Sequence, residues 1–555
     1  MNAFNKYFNE LGPNLAKNIP KAHGELFKKN STCVSDTIVL LPTDSYEIAS
    51  IISSIKSNSS CGLDQIPISV IKSVSDTISP ILATLINHSF SNGIFPDALK
   101  VAKITPKLKA GDKTSINNYR PISLLNIFSK IYEKAFLIKL NSFLAKHKIL
   151  HDGQYGFQKN RSTQQALITF TDILTEALDK NDYVVGVFLD LSKAFDTIDH
   201  SILIRKLSHY GIRGIALDFL KSYLSSRSQC VEIGGVASRS LEITCGVPQG
   251  SILGPVLFLI YINDLIKCSK ILKLLLFADD TTVLCAARDL NALITLLNKE
   301  LLLLSNWFNL NRLSLNPAKS NYMVFSNHKT GSAHPDIVIN SNKILKVTTT
   351  KFLGVEIDSK LNWLNHIRHI EKKLSSAIFV IRNIRYKINS NTALKLYDSL
   401  ILPYLNYCNI VWGNTFKTHL KNLFRLQKRA LKLCSDDKKL KSDTLFVRLN
   451  RLSIHDIYKF QTGQLVFNYF HNSNILPNTV ISLFKKISDI HSFHTRSQDN
   501  LCLYKFFGRL NVRISCTKVY APTLWNKIPT EIKQVNTLYS FKKQFKNYLQ
   551  INSNI

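Results

Sequence analysis

The sequence predicts an α+β fold, because two kinds of hydrophobic periodicity divide the chain. Between about 183 and 357, short apolar runs typical of strands alternate with longer amphipathic stretches. Before about 180 and beyond about 360 the pattern is mainly helical. This order of elements predicts an antiparallel sheet covered by helices. The 555 residues leave room for about three or four domain-sized units.

The N-terminal third divides into two parts. Residues 1–60 mix helical patterning with Ser, Asn and Pro, and we interpret them as a linker-like segment. Residues 61–182 are mainly helical, with turns at Gly93–Pro96 and Tyr119–Ser123. The folded body is therefore expected to begin near residue 61.

The central region carries the strand signals. Strands are predicted at 184–190, 229–233, 241–246, 273–285, 321–325 and 352–357. Helical periodicity covers Lys193–Tyr210 and Leu290–Phe308. Asp196 and Asp199 would lie on the first of these helices, which should carry both away from the end of the preceding strand.

Two adjacent acidic residues, Asp279 and Asp280, interrupt the strand-like run at 273–285. The apolar segments on either side are short enough for strands, so the pair should lie at the tip of a hairpin. Asp190 ends another buried run, and two such strands side by side would bring Asp190 and Asp279 together. These oxygen ligands suit Mg²⁺. The alternative is that Asp190 caps a helix and the pair forms a solvated turn.

The chain is strongly basic. Its 71 Lys and Arg exceed its 38 Asp and Glu, which gives a net charge of +33. This excess indicates a polyanionic partner such as nucleic acid. The alternative is a compositional bias with solvated lysines. No apolar run has the ~18 residues that a membrane span needs, and the ten scattered cysteines contain no C-x-x-C pair.

Basic helical faces dominate the part beyond about 360. They are clearest in His366–Lys373 and Leu423–Leu433. Aromatic residues are interleaved with them at Tyr397, Tyr404, Tyr407 and Trp412. For the basic faces we favour a surface that tracks a nucleic-acid backbone, and for the aromatics we favour the core of a helix bundle.

A series of motifs in one order then resembles a known family. In the centre these are Asp190–His200, Gly246–Phe258, Tyr261–Asp264 and Phe277–Asp280. Upstream lie Gly93–Pro96, Tyr119–Ser123 and Gln154–Thr163, and downstream lie Leu313–Lys319, Lys351–Gly354, Leu402–Tyr407 and Trp525–Pro529. Together they resemble the reverse transcriptases of jockey-like non-LTR (LINE-type) retrotransposons. The resemblance covers nearly the whole chain.

The resemblance implies a polymerase right hand with fingers, palm and thumb. The expected divisions are fingers at 61–182, a palm with inserted fingers elements at 183–360, a helical thumb at 361–470 and a basic helical C-terminal region at 471–555. Enzymes of this family also carry an N-terminal endonuclease, and no segment of this sequence resembles it. We therefore expect the chain by itself to lack target nicking.

The resemblance also implies RNA-directed DNA polymerisation, in which a primer 3′-hydroxyl attacks a bound dNTP on an RNA template. Asp190 and Asp279 would hold two Mg²⁺ ions, for which Mn²⁺ could substitute. Asp280 would be a supporting carboxylate. Lys319 would donate a proton to the leaving pyrophosphate, unless it is a solvated turn lysine.

Further positions match substrate-binding residues of the family. Lys107 and Arg120 would grip the triphosphate, although Lys103 and Lys109 are equally suitable alternatives to Lys107. Phe195 matches the steric gate against ribonucleotides. Matches to a nucleotide-contacting loop and to the primer grip are found at Gln249, Gly250, Phe352, Leu353 and Gly354. Without the resemblance, Phe195 would be interpreted as a core aromatic, Gln249 and Gly250 as a turn, and Phe352–Gly354 as the beginning of a strand.

The expected partners are an RNA template, a DNA primer or target DNA and dNTPs, with no membrane. The expected site of action is the nucleus, with ribonucleoprotein assembly in the cytoplasm, although the basic run Lys438–Lys441 is too weak to be an import signal. The first competing hypothesis is a catalytically silent nucleic-acid-binding remnant or scaffold. The second is a group II intron maturase-like protein, which the wording of the motifs disfavours.

Overall fold

A computed structural model describes residues 1–17, 19, 33–109, 111–328, 334–437, 442–490 and 501–552. The run 438–441 lies outside these ranges.

The predicted α+β character is confirmed. The strands are β1 Val101–Leu108, β2 Tyr119–Leu124, β3 Tyr183–Leu189, β4 Arg227–Ile233, β5 Val236–Ala237, β6 Leu241–Ile243, β7 Lys273–Phe277, β8 Asp280–Ala287, β9 Asn321–Phe325, β10 Val338–Ile339, β11 Asn342–Lys343, β12 Leu345–Lys346, β13 Thr349–Phe352 and β14 Val355–Asp358.

The central sheet has the strand order β12-β9-β3-β8-β7. Strand β3 runs antiparallel to both β8 and β9, and only the short edge pairing of β12 with β9 is parallel. Successive residues of β3 point to opposite faces. Val185 and Val187 enter one hydrophobic core, while Val184 enters the other. The sheet therefore separates two large cores, and both of its faces are buried.

The predicted hairpin at the acidic pair is confirmed. Strands β7 and β8 pair up to Phe277 and Asp280, which leaves a two-residue turn of Ala278 and Asp279. Ala278 adopts a positive φ of 56°, as tight hairpin turns require. The single strand-like run at 273–285 is therefore two strands.

A second sheet has the order β2-β1-β4-β5, with β6 also paired to β4. The sequence pattern did not predict β1 and β2 in a region that looked helical. In β1 only Ala102 and Ile104 are fully buried, and Lys103, Thr105, Pro106 and Lys107 interrupt the apolar residues. Such a strand has a short apolar face and a weak period-two signal. The two strands pair antiparallel, with Lys107 opposite Arg120.

The helices before residue 320 are α1 Asn2–Lys17, α2 Ser45–Ser54, α3 Ile68–Ser73, α4 Ser75–Asn92, α5 Ile127–Lys146, α6 Thr163–Asp179, α7 His200–His209, α8 Ile215–Leu224, α9 Gly254–Ile262 and α10 Leu290–Leu310. The predicted helix at Lys193–Tyr210 begins only at His200. Lys193 has a positive φ of 51°, and Asp199 caps α7 by accepting the Ile202 N–H. Residues 191–199 therefore form a turn region that keeps Asp196 near β3.

The segment interpreted as linker-like contains two packed helices, and in this respect the structure departs from the prediction. In α2, Ile48, Ile51 and Ile52 are buried in the first core. In α1, Asn5 donates to the Arg239 carbonyl at 2.7 Å, and Phe8 packs in a small core with residues of β1 and β4. These side chains give both helices an apolar or hydrogen-bonded face that their Ser- and Asn-rich composition obscured.

The remaining helices are α11 Leu364–Ile384, α12 Ser390–Leu400, α13 Leu402–Asn406, α14 Asn409–Trp412, α15 Lys417–Cys434, α16 Ser442–Arg448, α17 Ile454–His471, α18 Asn478–Ile481, α19 Asn511–Ile514, α20 Thr517–Trp525, α21 Thr530–Lys533 and α22 Leu538–Ile551. They share the second core with α6. Of the interleaved aromatics, Tyr397 and Trp412 are core residues as expected, whereas Tyr404 and Tyr407 are exposed. Within the described ranges, no helix combines the length and apolarity needed to cross a bilayer.

Candidate active site

The three candidate carboxylates lie at one end of the central sheet. Asp190 directly follows β3, Asp279 is in the β7–β8 turn, and Asp280 begins β8. Strands β3 and β8 pair as far as Leu189 and Thr281, so the next position along this register sets Asp190 opposite Asp280. Asp190 is also held through its backbone, because its N–H donates to Ser320 Oγ at 3.2 Å and its carbonyl accepts from Asn316 N–H at 2.9 Å.

The pKa shifts of Asp279 and Asp280 agree with the proximity of the three carboxylates. Burial raises the pKa of Asp279, and the negative charge of Asp190 raises it further. Desolvation, followed by the charges of Asp279 and Asp190, raises the pKa of Asp280 to about 6. The three carboxylates therefore repel one another, and a cation bound among them would relieve that repulsion.

The donor set fits Mg²⁺. This ion takes hard oxygen ligands, uses one or two carboxylates, and completes its shell with water and substrate phosphates. Asp190 and Asp279 supply such ligands at one strand edge. In the part of the chain that the structure describes, no group of three or more His, Cys, Asp and Glu side chains forms a metal cage by itself. A magnesium site here would therefore depend on substrate oxygens.

Basic side chains from four segments act on the carboxylates or on one another. The charges of Arg120 and Lys109 lower the pKa of Asp279. Lys193 donates to the Tyr119 carbonyl at 3.2 Å. Burial lowers the pKa of Lys193, and the positive charges of Lys109, Arg120 and Lys319 lower it further, against the raising effect of Asp196. Together Lys109, Arg120, Lys193 and Lys319 form a cluster that we call the cationic wall. Sequence analysis predicted Arg120 and Lys319 for the site and missed Lys193.

The structure separates the three lysines that sequence analysis left as alternatives. Lys103 is paired with Glu232, with Nζ 2.6 Å from Oε1. Lys107 is exposed on β1 opposite Arg120. Lys109, two residues further on, is the lysine whose positive charge acts on both Asp279 and Asp280. Its backbone N–H donates to the Asn118 carbonyl at 2.8 Å, which continues the pairing of β1 with β2.

Phe195 lies in the turn region after β3 and not on a helix. Its ring stacks on Phe258 with centroids 4.7 Å apart and meets the edge of Phe157 at 6.0 Å. Its carbonyl accepts the Val247 N–H at 2.9 Å. The ring, five residues after Asp190, is therefore held between α9 and the loop around Phe157, while the Phe195 backbone is tied to the loop before α9.

Gln249 and Gly250 lie where the loop before α9 touches β2. The Gln249 carbonyl accepts the Ser123 N–H at 2.8 Å. Gly250 has a φ of +131°, and a Cβ there would lie 2.4 Å from the Ser123 carbonyl oxygen. Only glycine fits this close approach. Glu133 holds the next residues of the loop by accepting the N–H groups of Ile252 and Leu253.

Asp196 is a site residue that sequence analysis assigned to a helix facing away. Both of its carboxylate oxygens accept from Gln249 Nε2, each at 2.8 Å. Burial raises the pKa of Asp196 to about 6, against the lowering effects of this hydrogen bond and of Lys193. The Asp196 side chain therefore fixes the direction in which the Gln249 amide points.

Gln154 is a second residue that sequence analysis did not single out. It is buried, and its Oε1 accepts both the Ala278 N–H at 2.9 Å and the Gly156 N–H at 2.8 Å. Tyr155 N–H and Leu276 O pair at 2.8 Å beside it. The loop around residue 155 thus supports the turn that carries Asp279. The two partners are far apart in sequence, so no local pattern could reveal the contact.

The candidate primer grip is a two-residue hairpin and not merely a strand start. Strands β13 and β14 pair up to Phe352 and Val355, and the turn residues Leu353 and Gly354 both have positive φ. Phe352 is buried against Phe188 of β3, with centroids 5.6 Å apart. It therefore cannot touch a nucleic acid, which leaves the turn as the part that could do so. Tyr407 Oη donates to the Leu353 carbonyl at 2.7 Å.

Comparison with known proteins gives this arrangement a context. Residues 108–357 match the family model described as reverse transcriptase (RNA-dependent DNA polymerase). This match contains all the candidate site residues except Lys107.

Three relatives illustrate the similarity over a longer stretch. The chain is 29% identical over 400 residues to the RNA-directed DNA polymerase from mobile element jockey of Drosophila melanogaster. This aligned stretch covers 70% of this chain and 43% of the relative. For the Drosophila funebris jockey enzyme the identity is 27%, over 71% of this chain and 44% of the relative. For the Pol polyprotein of retrotransposable element R1 of Bradysia coprophila it is 23%, with shares of 67% and 37%.

The chain spans less than half the length of these curated relatives. The matched region nevertheless includes the central sheet, the acidic hairpin and the loop that carries Gln249. Residues 108–357 therefore match the reverse transcriptase family, and the chain is similar over most of its length to the RNA-directed DNA polymerases of jockey elements, which are non-LTR retrotransposons.

Proposed function

We propose that the chain is an RNA-directed DNA polymerase that extends a primer 3′-hydroxyl with dNTPs on an RNA template. The observation that carries the proposal is the placement of Asp190 beside the Asp279 turn, with the positive charges of Lys109 and Arg120 acting on Asp279. Nucleotidyl transfer needs metal-binding carboxylates beside cations that accept a triphosphate. Positioning and charge stabilisation then carry most of the rate.

In this proposal Asp190 and Asp279 hold two Mg²⁺ ions, with Asp280 as a supporting carboxylate. Bound Mg²⁺ supplies the positive charge that acidifies the attacking hydroxyl and stabilises the leaving phosphates. Lys109 and Arg120 grip the triphosphate. Lys319, which is exposed in a turn tied to Asp190 through Asn316, donates a proton to the leaving pyrophosphate.

The same proposal assigns the subdomains of a right hand. The central sheet is the palm, within residues 183–360, where β4 is an inserted fingers element. Residues 61–182 form the fingers, residues 361–470 form the helical thumb and residues 471–555 form the C-terminal region. Support comes from the two separate cores on the faces of the central sheet. The RNA template and the DNA primer would lie across the exposed end of the sheet, next to the cationic wall.

Phe195 would act as the steric gate. Its ring is braced by Phe258 at 4.7 Å, so it could not move away from a ribose 2′-hydroxyl without disturbing that stack. Phe195→Val should therefore raise incorporation of rNTPs relative to dNTPs, while Phe157→Val removes only the edge contact and serves as the matched control.

The test is primer extension by the purified chain on an RNA template annealed to a DNA primer, with Mg²⁺ and dNTPs. The proposal predicts template-directed extension that is favoured with dNTPs over rNTPs. A folded chain that binds the template–primer but adds no nucleotide would refute it. That result would favour a catalytically silent nucleic-acid-binding scaffold.

A further inference from the structure

A strongly basic groove lies between the C-terminal parts of α11 and α15, which we call the α11–α15 groove. Its volume is about 820 Å³, within the range of ligand-binding clefts. Six cations line it: Arg382, Arg385, Arg425, Lys428, Arg429 and Lys432. None of them belongs to the candidate active site.

The helices that form the groove do not neutralise this charge. Helix α15 contains no Asp or Glu, and α11 contains none after Glu371. The one acidic residue of the lining, Asp436, is engaged by Arg385, with Nη2 2.7 Å from Oδ1. A solvated protein surface usually mixes charges of both signs. The excess of positive charge therefore indicates a polyanionic ligand.

One wall of the groove is built by hydrogen bonds. Arg385 donates from Nε to the Leu433 carbonyl at 2.6 Å and from Nη1 to the Ile388 carbonyl at 2.9 Å. The bond to Leu433 joins the end of α11 to the end of α15. Because Arg385 holds the two helix ends together, the shape of the groove is set before any ligand arrives.

Exposed aromatic rings accompany the cations. Tyr386, in the 3₁₀ turn that follows α11, lines the groove and is 79% exposed, and Phe379 of α11 is 64% exposed. Lys387 Nζ lies 5.9 Å from the centre of the Tyr386 ring. Aromatic rings between cations stack unpaired bases while the cations bind phosphates. In a duplex the bases already stack on one another, so such rings favour a single strand.

The groove lies toward the C-terminal end of α11. This helix begins at Leu364, close after β14, and Arg382 is eighteen residues further on. At 1.5 Å per residue that is roughly 27 Å. The groove is therefore at the end of α11 remote from β14.

We propose that the α11–α15 groove binds single-stranded nucleic acid, with phosphates on Arg382, Arg425, Lys428, Arg429 and Lys432 and a base stacked on Tyr386. This binding goes beyond the proposed polymerase function and does not require it. The occupant is a polynucleotide with unpaired bases. RNA and DNA share that chemistry, and separate oligonucleotides distinguish them.

The test measures binding of labelled RNA and DNA single strands of about 12 nucleotides, within the range of single-strand sites, to the full chain as a function of salt. The groove variant changes Arg425, Lys428, Arg429 and Lys432 to Gln, which preserves helix propensity. The control variant changes four exposed lysines elsewhere to Gln: Lys146, Lys299, Lys505 and Lys543. Circular dichroism and thermal unfolding confirm that both variants remain folded.

The groove variant should bind single strands at least about 10-fold more weakly than the control variant. Loss of four phosphate contacts should lower the slope of log affinity against log salt by about 3.

The aromatic part of the proposal has its own variants. Tyr386→Ala should weaken single-strand binding by about 5- to 150-fold, the range for losing one base stack. Tyr386→Phe keeps the ring and should bind like the parent. This pair changes no charge, so it separates stacking from electrostatic attraction.

Two results would overturn the proposal, and a third would separate it from the polymerase proposal. Equal losses in the groove and control variants would mean that only total charge matters. A larger loss for duplex than for single strands would make the groove a duplex site. If the parent binds single strands through the groove but extends no primer, the polymerase proposal fails and this one stands.

Discussion

Gln249 donates from Nε2 to both carboxylate oxygens of Asp196, at 2.8 Å each. The two residues come from different loops, one after β3 and one before α9. Gly246 N–H donates to the Ile198 carbonyl and Val247 N–H to the Phe195 carbonyl, so the backbones of these loops are joined as well. The turn that follows Asp190 therefore sets the position of the loop expected to meet the template and the incoming nucleotide.

Removal of this contact should impair nucleotide use more than duplex binding. Asp196→Ala should lower kcat/KM for dNTPs by about 10- to 100-fold, because Gln249 loses a hydrogen bond to a charged acceptor that is worth about 1.5–3 kcal/mol. A double-mutant cycle with Gln249→Ala should be strongly non-additive. Additive effects of the two changes, measured by steady-state primer extension, would argue against this coupling.

Asp196 should also make stability depend on pH. Burial raises its folded-state pKa from 3.8 to about 6. Between these values the folded chain binds a proton that the unfolded chain does not, so this residue's contribution to stability falls as pH rises from about 4 to 6. Asp196→Asn cannot titrate. Its free energy of unfolding relative to the parent should therefore rise by up to about 3 kcal/mol between pH 4 and pH 7, measured by urea denaturation. A pH-independent difference would contradict the buried carboxylate.

Gly250 should tolerate no side chain. In Gly250→Ala the new Cβ would lie 2.4 Å from the Ser123 carbonyl oxygen, which requires a shift of the loop and should cost about 2–4 kcal/mol. Gly235→Ala is the matched control, because Gly235 also has positive φ but a Cβ there meets nothing within 4 Å. Thermal unfolding and extension rates should show a large effect for the first variant and a small one for the second. Equal effects of the two substitutions would mean that the positive φ alone, and not the close approach to Ser123, determines the loss of stability and activity.

Lys109 should matter more than Lys107. Lys109 lowers the pKa of both Asp279 and Asp280, whereas Lys107 is an exposed neighbour on the same edge. Lys109→Gln should raise the KM for dNTPs about 10-fold or more, as the loss of a charge-assisted phosphate contact does. Lys107→Gln should change the KM by less than about 3-fold. The reverse order in steady-state kinetics would restore Lys107 as the triphosphate contact.

The sequence predicted the part of the site that rests on strands. The apolar runs before Asp190 and on both sides of Asp279 are strong signals, and buried strands in one sheet must lie side by side. The hairpin turn followed from the polar pair inside one such run. These inferences needed only local pattern and the geometry of a sheet.

The sequence could not predict contacts that depend on a loop's path. Amphipathic spacing after Asp190 suggested a helix from Lys193, but the left-handed Lys193 and the Asp199 cap delay α7 to His200, which brings Asp196 to Gln249. Likewise, lysines at 107 and 109 share one face of an edge, and only the three-dimensional structure separates their effects on the carboxylates. The bond from Ala278 to Gln154 spans too many residues for any local signal.

The most direct test of the central claim compares Asp190→Asn and Asp279→Asn with Asp182→Asn in primer extension on RNA. Asp182 lies just before the opposite end of β3 and serves as the control. The account predicts that the first two variants lose at least about 10³-fold in extension rate and the control less than about 2-fold. Because burial raises the pKa of Asp279, Asp279→Asn should also be as thermally stable as the parent or more so. Extension by the folded Asp190 and Asp279 variants at the control's rate would contradict the account.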